Sequence, residues 1–197
     1  MRKSFVKVLA LAPVMLVALT ACQASLSSDK AKERAAGYDA AVLADYDSVT
    51  VKTTYSNVKA TGQFEKMADL LEDDEYNDQP ENNFCTEEAI ASIDAQAGEH
   101  TDDSTGITMK TTVQYYAYKK TGLKIVVKAD GKGTVEGIDI ASKQSQTVWI
   151  LNDGRLEKAE MTVDSSSKGE IVAGPVTVDM NGTLKYTAKE TYTWNKK

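Results

Sequence analysis

Residues 146–163 read QTVWILNDGRLEKAEMTV. Two runs with a period of two flank Asp153-Gly154, and Asp-Gly is the preferred chemistry of a two-residue β-hairpin loop. Such a loop places Leu151 opposite Leu156 and Val148 opposite Ala159. Val148, Ile150, Ala159, Met161 and Val163 then share one face. The phase continues in both directions. Met109, Val113, Tyr115 and Ala117 alternate through 107–118, and 123–129 reads LKIVVKA. Further strands are expected at about 134–141, 146–151, 156–164, 170–179 and 183–194. A three-residue loop at Lys120–Gly122 pairs Ala117 with Ile125 and Tyr115 with Val127. A similar loop at Met180–Gly182 pairs Val178 with Leu184 and Val176 with Tyr186, with Gly182 left-handed in a bulge. Pro175 removes a ladder donor, so its strand is an edge or bulges there. Strands in series with short turns make an antiparallel meander, not a parallel sheet.

Upstream of the meander, SVTVKTTYSNV at 48–58 alternates and reads as one more strand. A helix is expected over about 29–44, capped by Asp29, with Ala31, Ala35, Tyr38 and Val42 on one face. Residues 65–103 hold 14 acids against one base, Lys66. Two short helices fit there. Thr61 caps the first, with Phe64, Met67 and Leu71 inward; Thr86 caps the second, with Ile90, Ile93 and Ala97 inward. Glu87 and Glu88 stand in that helix's first turn, where the helix dipole favours anions. EDDEYNDQPENN, 72–83, reads as a loop between them. The fold class is therefore α+β: an antiparallel β-meander of about eight strands, a curved sheet or half-barrel. An N-terminal helix and two short helices cover one face. The chain divides into a leader, 1–21, a tether, 22–28, and one β-rich domain, 29–197, with an acidic helical insert at 61–103.

Arg2, Lys3 and Lys7 precede the apolar run Val8–Leu19. Twelve residues make a helix of about 18 Å, short of a hydrocarbon core of about 30 Å. Pro13 also disfavours a permanent span. The pattern is that of a removable signal peptide. It ends at Leu19-Thr20-Ala21-Cys22. This tetrapeptide resembles the lipobox of bacterial prolipoproteins, which ends in an invariant cysteine. The resemblance implies cleavage before Cys22, a lipid on its sulfur, and a cell-membrane or outer-membrane address on the extracytoplasmic side. Two or three acyl chains hold a protein stably where one does not.

Over the whole chain Lys and Arg number 23, and Asp and Glu 29. The leader carries three of the bases and no acid, so residues 22–197 have a net charge of −9. Nucleic-acid binding needs a basic face and is not expected. The other cysteine, Cys85, has no partner if Cys22 is acylated, and reads as a buried thiol beside Phe84. His100 is the single histidine. It lies among acids and reads as a surface residue, no G-x-S-x-G elbow occurs, and zinc needs clustered ligands. Asp73, Asp74, Glu75, Asp78 and Glu81 are hard oxygen donors, but the stretch lacks the glycine of an EF-hand loop and contains Pro80. No catalytic residue, cofactor or metal is assigned, and the chain is not expected to be an enzyme.

The aromatic pattern points elsewhere. Leu184, Tyr186, Ala188, Glu190, Tyr192 and Trp194 share one face of the last strand. An apolar cavity with a few polar groups suits a small hydrophobic ligand. The candidate ligand residues are Met109, Tyr115, Ile125, Val127, Val148, Ile150, Met161, Tyr186, Glu190, Tyr192 and Trp194, with Glu190 placed to orient a headgroup. The competing reading is ordinary core packing, with Glu190 turned to water. Trp149, Leu151 and Leu156 fall on the second face, where the acidic-region helices are candidate covers.

A tether, a helix and a long antiparallel sheet with early helices resemble the lipoprotein-carrier half-barrels of LolA and the LppX-like envelope lipoproteins. That resemblance implies acyl-chain binding between the inward strand residues and the helices at 61–71 and 86–97. The expected function is thus a membrane-anchored, non-catalytic envelope lipoprotein that binds a lipid or other hydrophobic ligand. The alternative is a structural or protein-interaction lipoprotein whose partner is an envelope protein.

Overall fold

The computed structural model of the chain describes residues 24–102, 105–173 and 176–197. The leader, Cys22 and Pro175 lie outside the described residues. In chain order the elements are β1 (Ser25–Leu26), α1 (Ser28–Ala36), a 3-10 turn (Ala40–Asp45), β2 (Tyr46–Gly62), α2 (Glu65–Ala68), β3 (Asp74–Asp78), a second 3-10 turn (Pro80–Asn83) and α3 (Glu87–Asp94). Then follow β4 (Gly98–Thr101), β5 (Thr108–Tyr118), β6 (Gly122–Val135), β7 (Ile138–Ile150), β8 (Leu156–Lys168), β9 (Glu170–Ala173), β10 (Val176–Asp179) and β11 (Gly182–Lys196).

The architecture is α+β, with nine strands in one open antiparallel sheet. Its order is β1-β5-β6-β7-β8-β11-β2-β3, and β4 pairs with β5 beside β1. β5 to β8 are the meander expected from the alternation. The Asp153-Gly154 register holds at Val148 and Ala159, but a bulge pairs Ile150 rather than Leu151 with Leu156. The bulge turns Leu156 toward the face of Ile150. At the first hairpin the loop is Lys119–Thr121, so Tyr115 faces Ile125 and Ala117 faces Leu123. That slip of two residues preserves the facing.

Two strand expectations fail. The segment 134–141 is no separate strand, because β6 runs on through Gly131 and Gly133 to Val135. A Cβ on Gly133 would lie 2.8 Å from Ile107 Cα, so glycine here serves close approach and not a turn. The turn is instead Glu136-Gly137, with φ of 50° and 83°, the left-handed pair of a tight hairpin. The segment 170–179 is itself a hairpin, β9–β10, which pairs with nothing else. Leu184 and Tyr186 therefore face Ser165 and Val163 of β8, not Val178 and Val176.

The acidic insert also differs. Residues 74–78 form an edge strand along β2. Asp73 accepts from Tyr55 N at 2.8 Å, and Asp78 accepts from Asn82 Nδ2 and Gln79 N at 2.7 and 2.8 Å. Acids expected in a solvated loop are thus spent on backbone and turn donors. α2 is a single turn that leaves Met67 51% and Leu70 80% exposed. It covers no core, because its apolar residues are too few to form a stripe.

α1 is shorter than expected and ends before Gly37; Ser27, not Asp29, caps it. Thr86 caps α3 by accepting from Ala89 N at 3.2 Å. Both helices pack on one face of the sheet. Ala31, Ala35, Ile90, Leu123, Ile125, Ile150, Cys85 and Tyr115 form the shared core. Asp94 ties the layers, with Tyr115 Oη donating at 2.7 Å, Lys32 Nζ at 2.9 Å, and Ser28 Oγ donating as well. The opposite face is polar. Ion pairs Lys143–Asp130, Lys189–Glu160 and Lys185–Asp164 cross it. Trp149 lies there between Lys124 and Lys158, with ammonium groups 5.6 and 4.6 Å from its ring centroid. No helix covers it among the described residues.

Candidate functional site

The ladder Ile125–Val148–Ala159–Glu190–Thr53 crosses five strands on the helix-covered face. Ala159 is the small member, and the floor sinks there. Gln146 and Ile150 flank Val148 on β7, and Tyr192 follows Glu190 on β11. Asn82 of the second 3-10 turn, with Phe84 and Cys85 just after it, roofs the hollow, and Ala89 and Ile93 from α3 close its side. The result is a cavity of about 130 Å³. Leu156 completes the lining, which contains no lysine, arginine or second carboxylate.

Glu190 is 8% exposed. Tyr192 Oη donates to its Oε2 at 2.5 Å. Oε1 has no hydrogen-bond partner. Burial pushes the carboxyl above the usual carboxylate range, and the Tyr192 hydrogen bond offsets this in part. A buried carboxyl with a free oxygen costs stability unless something donates to it or it stays protonated. Burial also pushes the Cys85 thiol up to about 12. A thiol so raised is inert as a nucleophile and behaves as a small apolar group.

Of the eleven candidate ligand residues, Ile125, Val148, Ile150, Glu190 and Tyr192 line this cavity. The others share the face but stand apart. Tyr115 and Val127 belong to the core under α1 and α3. Met109 faces His100 and Gly131 near the sheet edge. Met161 lies across from Gln146, one step along the face, and Tyr186 meets Tyr55 with centroids 5.9 Å apart. Trp194 meets Tyr46 edge to face with centroids 5.3 Å apart, lies under Arg155, and donates Nε1–H to Leu156 O at 2.9 Å. It is a lock and not a cavity wall. Sequence reasoning missed Gln146, Ala159 and the roof residues Asn82, Phe84 and Cys85. Gln146 and Ala159 were in phase with Val148; nothing in the local pattern places the roof.

His100 is exposed on β4 and approaches Ala97 O at 3.4 Å. No cluster of His, Cys, Asp and Glu fit to hold a metal occurs among the described residues. Larger hollows occur, about 440 Å³ beside α1, about 500 Å³ at the 139–141 and 166–168 ends of β7 and β8, and about 250 Å³ between β1, β5 and α3. All three are more open than the cavity under Phe84, which holds the unpaired carboxyl oxygen. Comparison with protein-family models, curated proteins and solved structures found no match.

Proposed function

We propose that the chain is a membrane-anchored, non-catalytic envelope lipoprotein that holds a small hydrophobic ligand under α3. The observation that carries the reading is Glu190 Oε1, buried and unpartnered in a partly open cavity lined mainly by apolar side chains. A ligand that fits has a ring-sized apolar body and one hydrogen-bond donor. The volume supports this size, since an apolar cavity of about 150 Å³ binds benzene, and drug-sized sites run from about 300 Å³ upward. A full acyl chain is therefore disfavoured within the broader class of lipid and hydrophobic ligands. Anchoring rests on the lipobox at Leu19–Cys22.

The test is native mass spectrometry of protein purified from the envelope, followed by organic extraction. A released small molecule, absent from the Glu190→Gln protein, supports the reading. A clean apo mass that stays unchanged on incubation with envelope extract overturns it. That outcome favours the second reading, a structural or protein-interaction lipoprotein. Its own support is the β9–β10 hairpin, which leaves Val172 71% and Val176 55% exposed.

A further inference from the structure

The outer face of the sheet carries one continuous cross-strand row. From the edge inward, Ser25 pairs with Tyr116, Tyr116 with Lys124, Lys124 with Trp149, Trp149 with Lys158, Lys158 with Thr191, and Thr191 with Lys52. The first acid in the row is Glu75, at the far edge on β3. Lys124 Nζ lies 5.7 Å from the Tyr116 ring and 5.6 Å from the Trp149 ring, and Lys158 Nζ lies 4.6 Å from Trp149. Two lysines and two aromatic rings thus alternate on the side that no helix covers among the described residues.

The row begins where the chain enters the fold. Ala117 N donates to Ala24 O at 2.9 Å, and Ser25 and Leu26 pair with β5. The segment expected to be a free tether is therefore fixed from Ala24 onward. Cys22 is two residues earlier, a reach of about 7 Å at most. We propose that the Tyr116–Lys124–Trp149–Lys158 row seats the domain on the anionic phospholipid headgroups of the membrane that bears its anchor. This rests on the lipoprotein reading of Cys22.

Three independent features fit that occupant. Trp and Tyr favour the membrane–water interface, where an apolar ring meets polar headgroups. Lysines near an anionic surface are attracted to it within a Debye length. Lys124 is partly desolvated and faces the like charge of Lys158, which together lower its pKa, and a phosphate between the two relieves that repulsion. Within the row the one acid, Glu75 on β3, stands six strand steps from β5, about 29 Å at ~4.8 Å per step, at the end far from the anchor.

The experiment uses the lipidated protein in vesicles of phosphatidylcholine with phosphatidylglycerol, read by flotation and by tryptophan quenching with brominated lipid. Trp149 and Trp194 are the only tryptophans, and Trp194 lies on the helix side. The expected result is a quenched component that Trp149→Phe removes. Lys124→Glu with Lys158→Glu is expected to abolish it, and 0.5 M salt to weaken it, while the protein still floats. Flotation without Trp149 quenching keeps the anchor and overturns the docking. Protein that stays in the aqueous phase overturns both, because the short reach from Cys22 is then gone. Thermal melts of the variants show whether the fold is kept; an unfolded lysine variant leaves Trp149→Phe to decide the matter.

Discussion

Ala159 stands directly across the β8–β11 ladder from Glu190, and its missing side chain is the space in which the carboxyl oxygen goes unpaired. A larger residue here fills the cavity from its floor. Ala159→Leu is expected to abolish ligand capture while keeping the fold. Overpacking costs typically 1–3 kcal/mol, and the void of about 130 Å³ should hold the loss to the low end. Native mass spectra and urea denaturation check both parts. Retained ligand in a folded Ala159→Leu protein places binding elsewhere.

Glu190 also sets a pH dependence. Its folded pKa is raised, so the folded state holds the proton more tightly than the unfolded one. The stabilisation is full below the unfolded carboxylate value of about 4.3 and declines as pH rises through the folded pKa. The groups near it offer no relief: Tyr192 donates to the other oxygen, Tyr55 lies on the neighbouring strand, and no base lines the cavity. Glu190→Gln cannot ionise. Its melting temperature relative to the parent is expected to climb once pH passes the unfolded carboxylate value and to level off above the folded pKa. Parallel curves show that Glu190 is not buried as described. Added ligand should flatten the parent's curve, because a donor to Oε1 replaces the missing partner.

Asp94 shows the opposite sign. Burial alone raises its pKa, but hydrogen bonds from Ser28, Lys32 and Tyr115 outweigh burial and hold it below the usual range. Its contribution is present above about pH 3.9 and is lost as pH falls through the folded value. Asp94→Ala leaves the Tyr115 hydroxyl, on a residue 4% exposed, without its acceptor. A cost of about 1–3 kcal/mol is expected at pH 7, shrinking toward pH 3. Combining it with Tyr115→Phe should recover part of the loss, since the orphaned hydroxyl is gone. Additive losses in that double-mutant cycle contradict the shared bond.

The meander was legible because parity survives error. Moving the first loop by one residue shifted the register by two and left Tyr115, Ile125 and Val148 on one face, so the inner face could be read before any contact was known. Continuous strands through Gly131 and Gly133 were not legible, because glycine marks close approach and turns alike until the neighbouring Ile107 is in place. The β9–β10 excursion was hidden for a related reason: alternation in 170–179 shows a strand, not whom it pairs with. The cavity floor followed from period, whereas its roof did not. Asn82, Phe84 and Cys85 reach Glu190 only through long-range folding of an acidic segment whose local pattern resembles solvated loop.

The roof depends on one glycine. Gly154 has φ of 93°, and a Cβ there would lie 2.7 Å from the Phe84 ring and 2.8 Å from Tyr38 Cβ. Its carbonyl accepts from Cys85 N at 2.8 Å, so the turn holds the roof segment in place. Gly137 is the internal control, with φ of 83° and nothing within 4 Å of its would-be Cβ. Both Gly→Ala changes force a left-handed alanine, at about 1–2 kcal/mol. Only Gly154→Ala must also push Phe84 aside. Urea denaturation is expected to rank Gly154→Ala well below Gly137→Ala in stability, and only the former should loosen ligand binding. Equal costs with binding intact would mean that Phe84 yields freely and the roof is set by α3 alone.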